Sequence, residues 1–291
     1  MPPVLDHIII LVPYAQLLSL PAWIPSSFTL TPGGRHSDDR TENKLVCFAD
    51  GSYLELIAFI NDDPKLRDGH KWGSCEFGII DFALTQSSTS ASANWSSVNA
   101  RLAEAGCKAR YAEPLAGGRL RDDGQEVRWS VTAPVLEGTG VRKGELPFFC
   151  HDVTPRSLRV PDARVNTTHP NSAYGVKGLC LYVPEERVKG LVDAYEAILG
   201  TSEEMRAEGG KGGVLVIGRL RSIVGVEEGI TFTIRTPEGK EMIDGLKERG
   251  GVWLGDLVLG GLGNEARKRV RIDVPAEDGV GGLFLELDVP V

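Results

Sequence analysis

The sequence lacks the features that mark several large classes of protein. No run of about 18 uncharged apolar residues occurs in it, so a membrane-spanning helix is not expected. The apolar N-terminal stretch has no basic residues ahead of it, and Asp6 and His7 interrupt it early, which argues against a signal peptide. The five cysteines are odd in number and lack CxxC spacing, which favours reduced thiols in a cytoplasmic protein.

Positive charge is also in short supply. The 32 Lys and Arg residues are outnumbered by 40 Asp and Glu residues, which gives a formal net charge of -8, and they form no long block. Nucleic acids are therefore not expected as partners. The chain has no GxSxG elbow and no GxGxxG after a strand, which argues against an α/β-hydrolase and a dinucleotide-binding loop.

What the chain does have is a repeated order of short hydrophobic segments, separated by many of its 35 glycines. The order strand, helix and three strands can be traced three times, which predicts an α+β fold of repeated βαβββ modules. The first two units, about residues 1–62 and 75–155, form a module pair within residues 1–160. The third unit spans residues 172–291 and ends in the strand GLFLELDVP. We expect curled mixed sheets around a cleft.

Two polar residues stand inside hydrophobic runs that predict strands: His7 in LDHIIILVP and Glu55 in GSYLELIAF. A buried carboxylate loses its hydration unless a cation or a metal ion compensates. Because imidazole and carboxylate together suit Zn²⁺, Fe²⁺, Mn²⁺ and Ni²⁺, the pair predicts a shared divalent metal. The structural alternative is a salt bridge between Glu55 and a buried arginine such as Arg35 or Arg128.

Three segments, LDHIIILVP, GGRHSDDRTENKLVCFADGSYLELIAF and ELPFFCH, resemble the glyoxalase-like domain proteins of the vicinal oxygen chelate superfamily. The resemblance covers about the first 160 residues. It implies paired modules whose cleft holds a divalent metal, with ligands on the first and fourth strands of each module. Carried over to this chain, it implies His7 and Glu55 as the ligands of the first module.

The second module departs from the pattern of the resembled family. Its first strand has Gly78 or Ile79 at the ligand position, and neither can bind a metal. Its fourth strand has Cys150 at the strict equivalent and His151 beside it. If His151 points into the cleft, the resemblance implies a set of two histidines and one carboxylate.

The third unit is the alternative source of ligands. It offers Gly178 on its first strand and Glu286 on its last, which would leave one histidine and two carboxylates. His36 follows two glycines and could complete either set from a loop. His70 and His169 lie in polar connectors rich in proline and glycine, so a structural role is expected for both.

The resemblance implies a metal-dependent enzyme for a small oxygenated substrate, with isomerase, lyase or dioxygenase chemistry by bidentate chelation and polarisation of a carbonyl or enolate. His36 and Glu55 are the candidates for proton transfer. The alternative is a non-catalytic protein that sequesters a small molecule in the same cleft without metal, and a homodimer is left open. The residues expected to line the substrate cleft are Arg35, Arg128, Trp129 and Phe149.

Three arginines near the second module bear on the type of substrate. Arg119, Arg121 and Arg128 are more often solvated strand charges than an anion site. An arginine that faces the cleft would nevertheless suit a carboxylate-bearing substrate, because guanidinium and carboxylate groups pair through two parallel hydrogen bonds.

Overall fold

The chain folds into two β-sheets with helices packed between and around them. The computed structural model describes residues 2–121, 123–200, 212–226, 229–265, 267–273 and 282–289. No helix in these described ranges is both long enough and apolar enough to cross a membrane. All five cysteines are free thiols.

The first module contains four strands and two short helices between the first and second strand. Its elements are β1 (Val4–Leu11), α1 (Tyr14–Leu18), α2 (Trp23–Ser27), β2 (Thr31–Arg35), β3 (Thr41–Cys47) and β4 (Tyr53–Phe59). A 3₁₀ turn (Ile60–Asp62) and α3 (Pro64–Arg67) follow. The strand β4 runs parallel to β1 and antiparallel to β3.

The second module repeats this order. Its elements are β5 (Gly78–Thr85), α4 (Ala91–Glu104), β6 (Leu115–Leu120), β7 (Glu126–Thr132) and β8 (Phe148–Asp152), followed by α5 (Arg156–Arg159) and α6 (Arg164–Thr167). The helix α4 begins after Ser90, whose hydroxyl accepts a hydrogen bond from the backbone of Ala93. This N-cap satisfies one of the free backbone N–H groups of the first turn.

The two modules join into one curled eight-stranded sheet with the order β2-β3-β4-β1-β5-β8-β7-β6. The first strands β1 and β5 pair antiparallel at its centre. The two edges approach each other, because His36 forms a β-bridge with Arg119 and the backbone N–H of Ser37 donates to the carbonyl of Gly118 at 3.1 Å. The sheet is therefore a nearly closed barrel around a cleft, which confirms the predicted fold class.

The remainder of the chain forms a six-stranded sheet with the order β10-β11-β9-β12-β14-β13. Its elements are β9 (Ala173–Tyr182), α7 (Glu185–Leu199), β10 (Gly212–Ile217), β11 (Ile230–Arg235), α8 (Lys240–Glu248), β12 (Trp253–Leu262), β13 (Arg267–Arg271) and β14 (Leu283–Asp288). Parts of the third predicted unit, residues 201–211 and 274–281, lie outside the described residues.

The second sheet is built from two shorter modules where the sequence predicts one unit. The strand β9 pairs parallel with β11, and β12 pairs parallel with β14, as β1 does with β4. Between them β9 and β12 pair antiparallel, as β1 and β5 do. The segment FLELD is thus β14 beside β12, and not a strand that follows β11 directly in the same unit.

The central strands are buried on both faces, which explains why they appear in the sequence as continuous apolar runs. Along β4, Leu54 and Leu56 face the large core between the two sheets, whereas Ile57 faces a smaller apolar cluster inside the barrel. The rings of Phe82 and Phe232 meet across the large core, with centroids 5.2 Å apart. Because successive strand residues alternate between faces, Glu55 points into the barrel.

Candidate metal and substrate site

A cavity of about 230 Å³ lies inside the barrel, between the two modules. Residues from both modules and from the connector before β5 line it. Those that bear on its chemistry are His7, His36, Asn43, Tyr53, Glu55, Lys71, Trp72, Arg119, Trp129, Phe148 and Cys150.

Glu55 lies between two histidines in this cavity. Its Oε2 is 3.5 Å from Nε2 of His7, and its Oε1 is 3.5 Å from Nε2 of His36. Asn43 Nδ2 donates to the same Oε1 at 2.5 Å. Burial of Glu55 raises its pKa, but the electrostatic interaction with the side chains of His36 and His7 and the Asn43 hydrogen bond outweigh this, so that the pKa lies below its usual value. Glu55 is therefore an ionised carboxylate.

The orientation of His7 is fixed by its neighbour Asp6. The register of β1 against β5 shifts between Leu5 and His7, which is a bulge that brings Asp6 and His7 together. His7 Nδ1 donates to Asp6 Oδ1 at 2.7 Å, and its ring stacks on Tyr53 at a centroid distance of 4.5 Å. Nε2 is left to face Glu55. A histidine held in this way by a carboxylate is typical of metal ligands.

Asp6 is in turn neutralised by two arginines. Arg156 Nη1 and Arg159 Nη2 lie 2.8 and 2.9 Å from Asp6 Oδ2. Burial raises the pKa of Asp6, but the two guanidinium groups and His7 outweigh it and hold this pKa well below its usual range. Arg159 also donates to the hydroxyl of Tyr53 at 2.8 Å, so the same cluster positions the ring against which His7 stacks.

His36 is oriented from the opposite side of the cavity. Its Nδ1 forms a hydrogen bond of 2.7 Å with the hydroxyl of Thr41, which leaves Nε2 facing Glu55. Burial lowers the pKa of His36 more than the negative charge of Glu55 raises it, so the neutral imidazole is favoured. Glycine is required three positions before His36, because a Cβ atom on Gly33 would lie 2.0 Å from Asn43 Oδ1.

The second module contributes weaker donors to the cavity. Ala83 pairs with His7 across β1 and β5, and Cys150 faces the cavity from β8. Burial raises the pKa of the Cys150 thiol to about 12, so that it stays protonated at neutral pH. Cys150, which stands in the second module where Glu55 stands in the first, thus enters the cavity as a neutral thiol.

Several predicted site residues lie elsewhere. His151 borders a separate pocket with Ser130 and Asp152, and its two ring nitrogens have no hydrogen-bond partner in the described residues. Because adjacent strand residues point to opposite faces, Cys150 enters the barrel and His151 leaves it. For the same reason Phe148 lines the cavity and Phe149 packs in the core between the sheets.

The arginines predicted near Glu55 do not pair with it. Arg35 and Arg128 are more than half exposed and form ion pairs with Asp39 and Glu126. The alternative of a structural salt bridge to these arginines is therefore wrong. Of the predicted cleft residues, Trp129 lines the cavity, with its ring 6.1 Å from that of His36.

Glu286 also takes a structural role. Its carboxylate lies in the second sheet, 2.7 Å from the ammonium group of Lys177. Gly178 pairs with Thr231 in the same sheet. The ligand set that draws on the third unit is therefore not brought together with His7.

Sequence reasoning missed Asp6, Arg159, Lys71 and Asn43. Asp6 stood beside His7, but strict strand alternation places neighbours on opposite faces, and only the bulge overrides this. Arg159 and Lys71 are in connectors that carry no periodic signal. Asn43 could have been found, because it lies at an alternate position of β3 within the segment of strongest family resemblance.

His70 lines the cavity but serves the connector that carries it. Its Nδ1 accepts a hydrogen bond from the backbone N–H of Trp72 at 3.1 Å, and its ring meets Phe59 edge-on at 5.0 Å. Burial lowers its pKa to about 4.

We expect this depressed pKa to make the protein less stable in mild acid. The unfolded chain binds the proton of His70 near pH 6.5 and the folded chain only near pH 4, so the free energy of unfolding falls across that window by about 3 kcal/mol. His70→Asn retains an acceptor for Trp72 and should flatten the pH dependence in urea denaturation. An unchanged pH profile in this variant would assign the effect to other groups.

His7, His36 and Glu55 fit a divalent metal in residue type and in orientation, but their donor atoms are not arranged at metal-binding distances. No group of three or more His, Cys, Asp and Glu side chains in the described ranges is arranged to hold a metal ion. However, the Nε2 atoms of His7 and His36 both face the carboxylate of Glu55, and the Nδ1 atom of each is already bound to a supporting side chain. These are the donor types and the outer hydrogen bonds that Zn²⁺ and Fe²⁺ sites use.

Paired βαβββ modules around a polar cleft define the class of the fold, and sequence comparison gives the family. Residues 5–197 match the family described as Glyoxalase-like domain. The chain belongs to the glyoxalase-like domain family, as the sequence resemblance indicated. No curated protein sequence matches the chain.

Solved structures share the fold over nearly the whole chain. A hypothetical protein from Staphylococcus aureus aligns with a TM-score of 0.65 and 15% identity, over 98% of each chain. A variant of 4-hydroxymandelate synthase from Streptomyces coelicolor aligns with a TM-score of 0.53 and 13% identity, over 99% of this chain and 93% of the other. At these identities the likeness extends to the fold alone, and it includes the second sheet.

Proposed function

We propose that this protein is a metal-dependent enzyme of the glyoxalase-like type that acts on a small oxygenated substrate. The observation that carries the proposal is the placement of Glu55, whose two oxygens each face the Nε2 atom of a histidine at 3.5 Å. A buried, ionised carboxylate that forms no ion pair with an arginine in the described part of the chain calls for another cation. Family membership agrees with this assignment.

His7, Glu55 and His36 would hold the metal. When bound, a divalent ion supplies Lewis acidity toward neighbouring substrate oxygens, which suits isomerase, lyase or dioxygenase chemistry. Asp6 and Thr41 hold the two imidazole rings in place. A histidine nitrogen that holds a metal cannot also accept a proton, so Glu55, which has two oxygens, is the group that can take up or release a proton at the substrate, and His36 can do so only in place of metal binding.

A metal titration tests this proposal. We expect the metal-free protein to bind about one equivalent of Zn²⁺, Fe²⁺, Mn²⁺ or Ni²⁺ in isothermal titration calorimetry. Binding to the folded state alone should raise the free energy of unfolding by about 2.7 kcal/mol at a free metal concentration of 100 times Kd, visible as a higher Tm. If none of the four ions binds at this stoichiometry, the proposal is wrong.

The second candidate is a protein that sequesters a small molecule in this cavity without metal. This alternative is favoured by the lack of strong metal ligands at the two matching positions of the second module. Ala83 pairs with His7 and has no donor atom, and the thiol of Cys150 stays protonated. Under this alternative the metal titration shows no binding, while a small ligand still raises Tm.

A further inference from the structure

The cavity contains a buried arginine that forms no salt bridge with a carboxylate of the described residues. Arg119 is 5% exposed and reaches inward from the edge strand β6. Its Nη1 donates to Asn43 Oδ1 at 3.2 Å and its Nη2 to the carbonyl of Arg159 at 3.1 Å, and both acceptors are neutral. Its Nε–H has no hydrogen-bond partner among the described residues. A buried guanidinium group with a free donor is costly unless an anion joins it.

A second cation enters the cavity from its mouth. Lys71 is exposed as a residue, yet its ammonium group lies 3.9 Å from the centroid of the Trp72 ring and 4.6 Å from that of Phe148. The ammonium group of Lys71 thus contacts the faces of these two rings. No carboxylate in the described part of the chain lies within salt-bridge distance of it. Aromatic faces attract a cation but do not neutralise its charge.

Glu55 offsets these two charges only in part, because its charge acts on Lys71 and Arg119 without a salt bridge to either. Its oxygens are already engaged by His7, His36 and Asn43, and under the proposed function they would also face a divalent cation. The cavity therefore carries an excess of positive charge toward any molecule that enters it. Arg119 and Lys71 line the same cavity, and two cationic donors in one cavity suit the recognition of a carboxylate.

We infer that the ligand of this cavity is a small monocarboxylate with a flat apolar body, whose carboxylate is bound by Arg119 and Lys71. The inference rests on the proposed function in that it takes this cavity as the substrate site. The rings of Trp72, Trp129, Phe148 and Tyr53 form the walls. An aromatic or unsaturated body stacks on such walls, while oxygens at its other end face His7, Glu55 and His36.

The test compares two probes that share a ring and differ in charge. We expect metal-free protein to bind benzoate at least 10-fold more tightly than benzamide in isothermal titration calorimetry. Charge-assisted hydrogen bonds are about twice as strong as neutral ones, so Lys71→Gln and Arg119→Gln should each reduce this preference by about 10-fold or more. Arg119→Lys, which retains the charge, should keep part of it.

Arg128→Gln is the matched control, because Arg128 is on the neighbouring strand β7 but is exposed and paired with Glu126. Its preference for benzoate should equal that of the unchanged protein. An equal affinity for benzoate and benzamide, or a full preference in both Lys71→Gln and Arg119→Gln, would overturn the inference. If Arg119→Gln does not fold, the inference is tested by the benzoate preference of Lys71→Gln and by that of the unchanged protein.

Failure of this inference and failure of the proposed function give different results. Preference for benzoate without binding of any divalent metal would contradict the proposed metal-dependent function and support the carboxylate site. Stoichiometric metal binding with no preference for benzoate would support the metal-dependent function and contradict the carboxylate site.

Discussion

Glu55→Gln is expected to weaken the binding of a divalent metal by roughly 100-fold or more, since loss of a supporting group alone costs 10–100-fold. The substitution keeps the shape of the side chain and removes the charge that the two histidines face. Calorimetry with the metal that binds the unchanged protein most tightly measures the effect. We also expect the Tm shift on metal addition to disappear.

The control for this variant is Glu126→Gln, which removes a carboxylate whose side chain is 69% exposed on β7. Its metal affinity should be that of the unchanged protein. If Glu55→Gln binds the metal as tightly as Glu126→Gln does, Glu55 is not a ligand.

Asp6→Ala is expected to destabilise the fold by about 3 kcal/mol, because it removes the fully buried carboxylate that Arg156 and Arg159 share and leaves them only the partly exposed Asp152. Asp6 is fully buried, so water cannot take over the role of its carboxylate. Urea denaturation measures the loss as a lower midpoint.

Asp162→Ala serves as the matched control for stability. The Asp162 carboxylate also pairs with an arginine, Arg221, but its side chain is 46% exposed, so the expected change is about 0.5 kcal/mol or less. A change of similar size in Asp6→Ala would show that the cluster of Asp6 with its two arginines does not support the barrel.

A milder variant separates the positioning role of Asp6 from its structural role. Asp6→Asn keeps an oxygen that can accept the hydrogen bond from His7 Nδ1, but it weakens the charge that fixes this tautomer. We expect metal affinity to fall by about 10–100-fold while the protein remains folded. Unchanged affinity in a folded Asp6→Asn protein would limit Asp6 to a structural role.

The βαβββ repeats and the pairing of His7 with Glu55 could be predicted because both depend on local pattern. Strands buried on two faces leave long apolar runs, and a charged residue inside such a run is conspicuous. The second sheet was harder, since β12 carries several glycines and β13 is short and basic, so neither gives a clear strand signal. Strand pairing between distant segments is a tertiary property. The pairs β9 with β11 and β12 with β14 show two modules where the sequence predicted one unit.

The sequence by itself indicated the family and its paired modules, through the resemblance of three segments, and the two polar residues that face the barrel interior, through their residue type within apolar strands. The tertiary structure decided which other side chains join them. A one-residue bulge turned Asp6 toward His7, and strand alternation directed Cys150 into the barrel and His151 out of it. Closure of the sheet brought His36 and Arg119 together from opposite edges, a contact that depends on the curvature of eight strands.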